Sequence, residues 1–134
     1  MSVVSTLITR FSEKSTPEKI GIALSGIILL FLLGDALPKI FGAEFSTSAV
    51  EGLGFPPYQT ALIGWVLLAC TIVWAIPRTS VLGAVGLTAY LGGAVCIDMH
   101  AELWAPVVFA VGFGLLIWAA MILRRQELLK VLIG

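Results

Sequence analysis

Charge is what this sequence has least of. Asp, Glu, Lys and Arg make up 12% of its 134 residues, and 59% are hydrophobic. A soluble domain carries about 25% charged residues. Half that fraction cannot cover a water-facing surface, and the mean hydropathy of +1.05 points to lipid as the solvent. The net charge is zero, which removes any electrostatic case for a nucleic-acid partner. Cysteine is also scarce. Cys70 and Cys96 fit no metal or redox spacing and fall on different predicted helices at different depths, so they read as small apolar residues rather than a disulfide. Histidine occurs once, at His100. With no H-x-x-x-H or C-x-x-C motif, no metal site and no resident cofactor are expected.

What the chain does have is long apolar runs. At ~20 residues per span, four helices and their connections use nearly the whole length. Residues 1–16 stand apart from these runs. Val3, Val4, Leu7, Ile8 and Phe11 recur at helical spacing, which predicts a short amphipathic helix lying in the membrane interface. Thr16 and Pro17 then form a helix start, and Pro38 is expected to close the first span. A cleaved signal peptide is the rival reading, but Asp35 and Lys39 sit poorly beside a cleavage site. The four-helix transmembrane domain occupies 17–134, with spans at approximately 18–37, 58–76, 80–98 and 105–123. Residues 39–57 form the longest polar connection. Pro77-Arg78-Thr79-Ser80 is a tight turn in which Thr79 or Ser80 caps the next helix. The fold class is therefore all-α: a four-transmembrane-helix bundle with a short N-terminal interfacial helix.

Four spans put both termini on one side. Arg10, Lys14, Lys19, Arg78, Arg124, Arg125 and Lys130 then share that side, and only Lys39 lies on the other. By the positive-inside rule both termini are cytoplasmic, and a bacterial inner membrane is the expected location. The opposite side collects Asp35, Glu44, Glu51, Asp98, His100 and Glu102. Acidic residues contribute little to orientation, so this second asymmetry points to function.

A carboxylate at membrane depth is costly and marks a site by default. Asp35 near the end of the first span and Asp98 near the end of the third can meet across a bundle. A pair of buried carboxylates raises one pKa and suits acid–base work. The bland alternative is that Asp35 only pairs with Lys39. Asp98, His100 and Glu102 alternate, so they share a side only where the chain is extended; on a helix each step turns ~200°. Asp35, Asp98 and His100 are the candidate catalytic residues. Lys39, Glu44, Tyr58 and Trp104 are the candidate substrate-binding residues, with Tyr58 and Trp104 lining a pocket for a flat or prenyl-like molecule. Trp74 and Trp104 are expected to anchor at the interfaces. Gly83, Gly86, Ala89, Gly92 and Gly93 on the third span suit close helix packing, within the bundle or against a partner.

Four segments in order carry a family resemblance: Leu33 to Phe41, Gly52 to Pro56, Ile76 to Gly83, and Thr88 to Val95. They resemble the DoxX-like family of small four-helix membrane proteins over residues ~30–125. The resemblance implies a four-span bundle. Because the wider group includes a subunit associated with thiosulfate oxidation by quinone, it also implies a quinone or other lipid-soluble partner. Asp35 and Lys39 match acidic and basic positions of the family. Where members commonly carry Ala-Thr-His, this chain has Cys96-Ile97-Asp98, so an acid stands in place of a base.

Two readings follow. One is a small membrane enzyme performing isomerisation, cyclisation or epoxide opening on an apolar substrate (a terpenoid, quinone or lipid). The other is a non-catalytic subunit or assembly factor of a quinone-linked oxidoreductase, docked as a homo-oligomer or hetero-complex through the Gly-rich third helix. A transporter is a third reading, for which so short a chain leaves little room unless it oligomerises.

Overall fold

The computed structural model describes residues 2–134; Met1 and the side chain of Phe11, one member of the N-terminal apolar stripe, lie outside the described residues. Among the described residues there is no strand. The chain forms α1 (Val3–Ser12), α2 (Thr16–Ile40), α3 (Glu44–Gly52), α4 (Gln59–Ala75), α5 (Ser80–His100), α6 (Trp104–Arg124) and α7 (Glu127–Ile133), with a single 3-10 turn at Pro77–Thr79. Thr16–Ile40, Pro77–His100 and Trp104–Arg124 are long and apolar enough to cross a membrane; α4 is equally apolar but has 17 residues against 25 in α2.

The four long helices close into a ring. Helix α2 packs on α4 and α6, and α5 packs on the same two, leaving α2 opposite α5 across the centre. Ile28, Leu32 and Ala36 of α2, Leu67 and Trp74 of α4, Ala84 and Leu87 of α5, and Ile117 and Met121 of α6 form the buried core. The outer faces are just as apolar: Leu30, Leu82, Val108 and Leu115 are all exposed. Helices that are hydrophobic all round belong in lipid. With no hydrophobic drive between helices there, close packing must hold them together. The tightest crossing is α4 with α5, where a Cβ on Gly83 would stand 2.2 Å from the Trp74 backbone nitrogen. On the other side of the ring, Phe31 of α2 contacts Phe113 and Phe109 of α6, with ring centroids 4.9 and 5.4 Å apart.

Several local expectations change. Ser15, not Thr16, caps α2: its Oγ accepts from the Glu18 N–H at 3.4 Å and donates to Glu18 Oε1 at 3.2 Å. Pro38 does not end α2, which runs on to Ile40. Proline removes one helical hydrogen bond, but the last turn is held from outside. Ala36, Lys39 and Ile40 lie against Gly64 of α4, and the Phe41 N–H reaches the Leu37 carbonyl at 3.0 Å. The connection at 39–57 contains α3, whose Ser46 and Val50 are buried. Thr79 and Ser80 do not cap the start of α5. They close the end of α4, with Thr79 Oγ1 donating to the Val73 carbonyl at 2.7 Å and Ser80 Oγ to those of Trp74 and Ile76 at 2.8 and 2.9 Å. Trp74 is no surface anchor; it is 1% exposed and belongs to the core. Helix α7 follows the last span, where none was expected.

Candidate functional site

At one end of the ring, α2, α3 and α5 finish while α4 and α6 begin, and this end carries Asp35, Glu44, Glu51, Asp98 and Glu102. All three finishing helices close in the same way. In α2, Gly42 takes φ 71° and the Ala43 N–H returns to the Pro38 carbonyl at 2.8 Å. In α3, Gly54 takes φ 96° and the Phe55 N–H returns to Val50 at 3.4 Å. In α5 the Leu103 N–H returns to Asp98 at 2.8 Å and the Glu102 N–H to Met99 at 3.0 Å. This is the Schellman closure, which favours glycine at the left-handed position. Helix α5 places Glu102 there, at φ 60°.

That closure decides the alternating trio. Helix α5 remains helical through His100. Asp98 and His100 therefore project ~200° apart around the helix, and Glu102 follows in the turn. Asp98 is half-buried, whereas His100 and Glu102 are exposed. The three do not converge as they would in an extended loop. Among the described residues no group of three or more His, Cys, Asp or Glu is gathered for a metal ion.

On α2 the unbroken helix brings Lys39 back onto Asp35. The Lys39 ammonium donates to Asp35 Oδ1 at 2.5 Å and reaches the Asp35 carbonyl at 3.5 Å. The lysine side chain is the more enclosed of the two, 13% exposed against 44% for the aspartate. Asp35 is thus a carboxylate with a cation fixed beside it on one side and an open face on the other.

The cleft next to these groups has a volume of about 280 Å³. One wall is the α4 face: Tyr58, Gln59, Leu62, Ile63 and Val66. The other is a single side chain from α5, Tyr90. Gln59 Nε2 donates to the Tyr58 hydroxyl at 3.2 Å, so the mouth is polar and the interior apolar. Tyr90 is half-buried, packs against the core, and lies within electrostatic reach of both Asp35 and Asp98. Those two carboxylates belong to helices on opposite sides of the ring.

Of the sequence-derived candidates, Tyr58 alone lines the cleft; Asp35 and Asp98 lie within electrostatic reach of its Tyr90, and Lys39 pairs with Asp35. Glu44 begins α3 and is exposed, Trp104 begins α6 and is 57% exposed, and His100 ends α5; none of these three lines the cleft. The sequence reading missed Tyr90 and Gln59. Tyr90 lies eight residues before Asp98, a little over two helical turns, in an apolar run that reads as packing. Gln59 is the lone strong polar group at the start of the second run.

Apolar helices with apolar outer faces and an ionisable group at one end define a small integral membrane protein. A family model described as the DoxX-like family matches residues 23–120, and the chain belongs to that family. No curated protein and no solved structure matches it.

Proposed function

We propose that this chain is a four-span membrane enzyme that takes an apolar molecule from the bilayer into the cleft between α4 and Tyr90. Helix α4 serves as the remaining span, both termini are cytoplasmic, the acidic end faces outward, and the membrane is a bacterial inner membrane. The substrate is a terpenoid, quinone or other lipid with one polar end. Its apolar body lies against Leu62, Ile63 and Val66, and its polar end meets Tyr90.

The observation that carries this reading is that Tyr90 lies at the cleft within electrostatic reach of both Asp35 and Asp98. Asp35, whose Oδ1 accepts from the Lys39 ammonium, serves as the base. Asp98 has no such cation among the described ion pairs and is the acid. The Tyr90 hydroxyl donates to the substrate oxygen and steadies charge that develops there. Isomerisation then balances without an oxidant: Asp35 removes one proton from carbon, Asp98 delivers one to another carbon, and exchange with outer water resets both. Positioned acid–base groups supply about 10²–10⁴-fold in rate.

The test is purification from the native membrane, mass spectrometry of the extracted lipid, and turnover of the recovered molecule. Wild type carries an apolar molecule, and Asp35→Asn, Asp98→Asn and Tyr90→Phe each lose at least about a hundredfold in kcat. A cleft that carries only bulk phospholipid, or carboxylate variants that keep full turnover, would sink the enzyme reading. A second reading, a non-catalytic subunit, draws on one observation: Ala89, Gly92 and Gly93 are exposed on α5, and a Cβ on either glycine would meet nothing within 4 Å. A stable monomer with a filled cleft counts against it.

A further inference from the structure

The lining of the cleft carries no formal charge. Leu62, Ile63 and Val66 are aliphatic, and Tyr58, Gln59 and Tyr90 are polar but neutral. The Tyr58 hydroxyl accepts from Gln59 Nε2, which leaves its own O–H and the Gln59 carbonyl oxygen for a ligand. Among the described hydrogen bonds none engages the Tyr90 hydroxyl. A ligand therefore meets two hydroxyls and one amide.

The charges near the cleft are not available to a ligand either. Lys39 pairs with Asp35, and neither residue is on the lining. Asp98 acts on Tyr90 electrostatically but does not line the cleft. An anionic head would find no free cation beside it, and the nearest carboxylate would repel it. Taking an ion out of water is costly unless it is paired and hydrogen-bonded, and like charges brought together add to that cost. A cationic head would meet no lining carboxylate and would give the hydroxyls nothing to donate to. A carbonyl or alcohol oxygen accepts from a hydroxyl and carries neither cost. Size narrows the choice further. A cavity of about 150 Å³ holds benzene, so the cleft, at about 280 Å³, holds roughly ten to twelve heavy atoms.

We propose that the cleft selects a neutral oxygenated amphiphile, a ketone or alcohol on a skeleton of roughly ten carbons, and rejects lipids with an anionic head such as fatty acids and prenyl phosphates. The selection rests on the reading of the cleft as a substrate site and narrows that site to one chemical class. Gln59 becomes a specificity residue: it holds the Tyr58 hydroxyl and keeps the mouth uncharged.

The test is photoaffinity competition on the full chain in bilayer discs. A ten-carbon ketone carrying a diazirine labels the protein, and labelled α4 peptides are read by mass spectrometry. Competitors are compared at equal concentration in the membrane. 2-Decanone and decyl methyl sulfone should displace the label. Decyl sulfate, which adds a charge to a head of the sulfone's size, should be at least about tenfold weaker, and so should decyltrimethylammonium. Gln59→Arg places a cation at the mouth and should remove the deficit of the sulfate. Leu62 is exposed, so Leu62→Trp fills the cleft without disturbing the core, and it should abolish the α4 label. Decyl sulfate or the ammonium competing as well as the sulfone overturns the neutral-head selection and leaves the substrate site standing, as does a Gln59→Arg variant that still rejects the sulfate. A label that no ten-carbon compound displaces, or that Leu62→Trp leaves unchanged, overturns both.

Discussion

Replacing Gly83 by alanine tests whether close backbone approach is what holds the helices together. The added Cβ would stand 2.2, 2.3 and 2.7 Å from Trp74 N, Cα and Cβ. Unstrained heavy-atom contacts begin near ~3.5 Å, so α5 must retreat from α4 by about 1 Å. The obstructing atoms are backbone and Cβ, so no rotamer change relieves the clash. A gap of that size forfeits roughly a quarter to a half of each dispersion contact it opens. The contacts at risk are those of the buried Ala84 and Leu87 in the core they share with Leu67 and Trp74. Overpacking in a core costs typically about 1–3 kcal/mol, and the upper end is expected here: about 3 kcal/mol, or roughly a hundredfold in the folding equilibrium. Reversible unfolding by denaturing detergent, or steric trapping in bilayer discs, measures it. Gly92→Ala is the matched control, because its Cβ meets nothing within 4 Å; it should be neutral or gain up to about 1 kcal/mol from helix propensity. Gly86→Ala should fall between, since its Cβ meets Cys70 alone, the movable Sγ at 3.0 Å and Cβ at 3.6 Å. Gly83→Ala and Gly92→Ala within about 0.5 kcal/mol of each other would refute the reasoning, because that is the scale of an uninformative surface change.

Glu102→Gly should stabilise the fold by about 1 kcal/mol, because φ 60° penalises a side chain and suits glycine; the same unfolding titration reads it. Ser80→Ala should destabilise by about 1–2 kcal/mol, since the buried Oγ donates to both the Trp74 and Ile76 carbonyls. For orientation, single cysteines introduced as Ser2→Cys and Ser48→Cys, in a chain with Cys70 and Cys96 replaced by alanine, should differ in intact cells: an impermeant thiol reagent labels the second and not the first. Labelling of Ser2→Cys instead would reverse the proposed topology. Both positions are exposed, whereas neighbouring Ser46 is buried.

The helices were legible because their signal is simple. An apolar run of about twenty residues has few alternatives, and α4, α5 and α6 begin and end within about two residues of the runs that predict them. The local errors share one cause. Pro38, Thr79, Ser80 and Trp74 were read from what each residue type does by itself, and each is decided by a neighbour distant in sequence or by the preceding helix. Gly64 on α4 holds the turn that contains Pro38. The open carbonyls of α4 attract the two hydroxyls. Gly83 draws α5 over the Trp74 backbone, which leaves the ring in the core. The site was half legible for the same reason. Asp35 and Lys39 are four apart and needed only an unbroken helix. Asp98, by contrast, lies on the helix opposite Asp35, and nothing in the sequence tells which face of α5 looks across the ring. The family resemblance extends as far as the matched residues 23–120. It says nothing of Glu102 in a position where α2 and α3 use glycine.

The shortness of α4 has a mechanical consequence. Its 17 residues rise only ~25 Å, while the 25 of α2 rise ~37 Å. Pro56 and Pro57 before it and Pro77 after it prevent either end from lengthening. A hydrocarbon core is ~30 Å thick. As a span of the proposed arrangement, α4 is too short and α2 is long enough to tilt. The bilayer must therefore pinch along one side of the molecule only, at a cost of fractions of a kcal/mol per Å. That side carries Leu62, Trp65 and Val66, beside the cleft. Lipid there is compressed before any substrate arrives, so displacing it costs less than displacing relaxed lipid elsewhere on the rim. The same mismatch favours residence in thinner membranes.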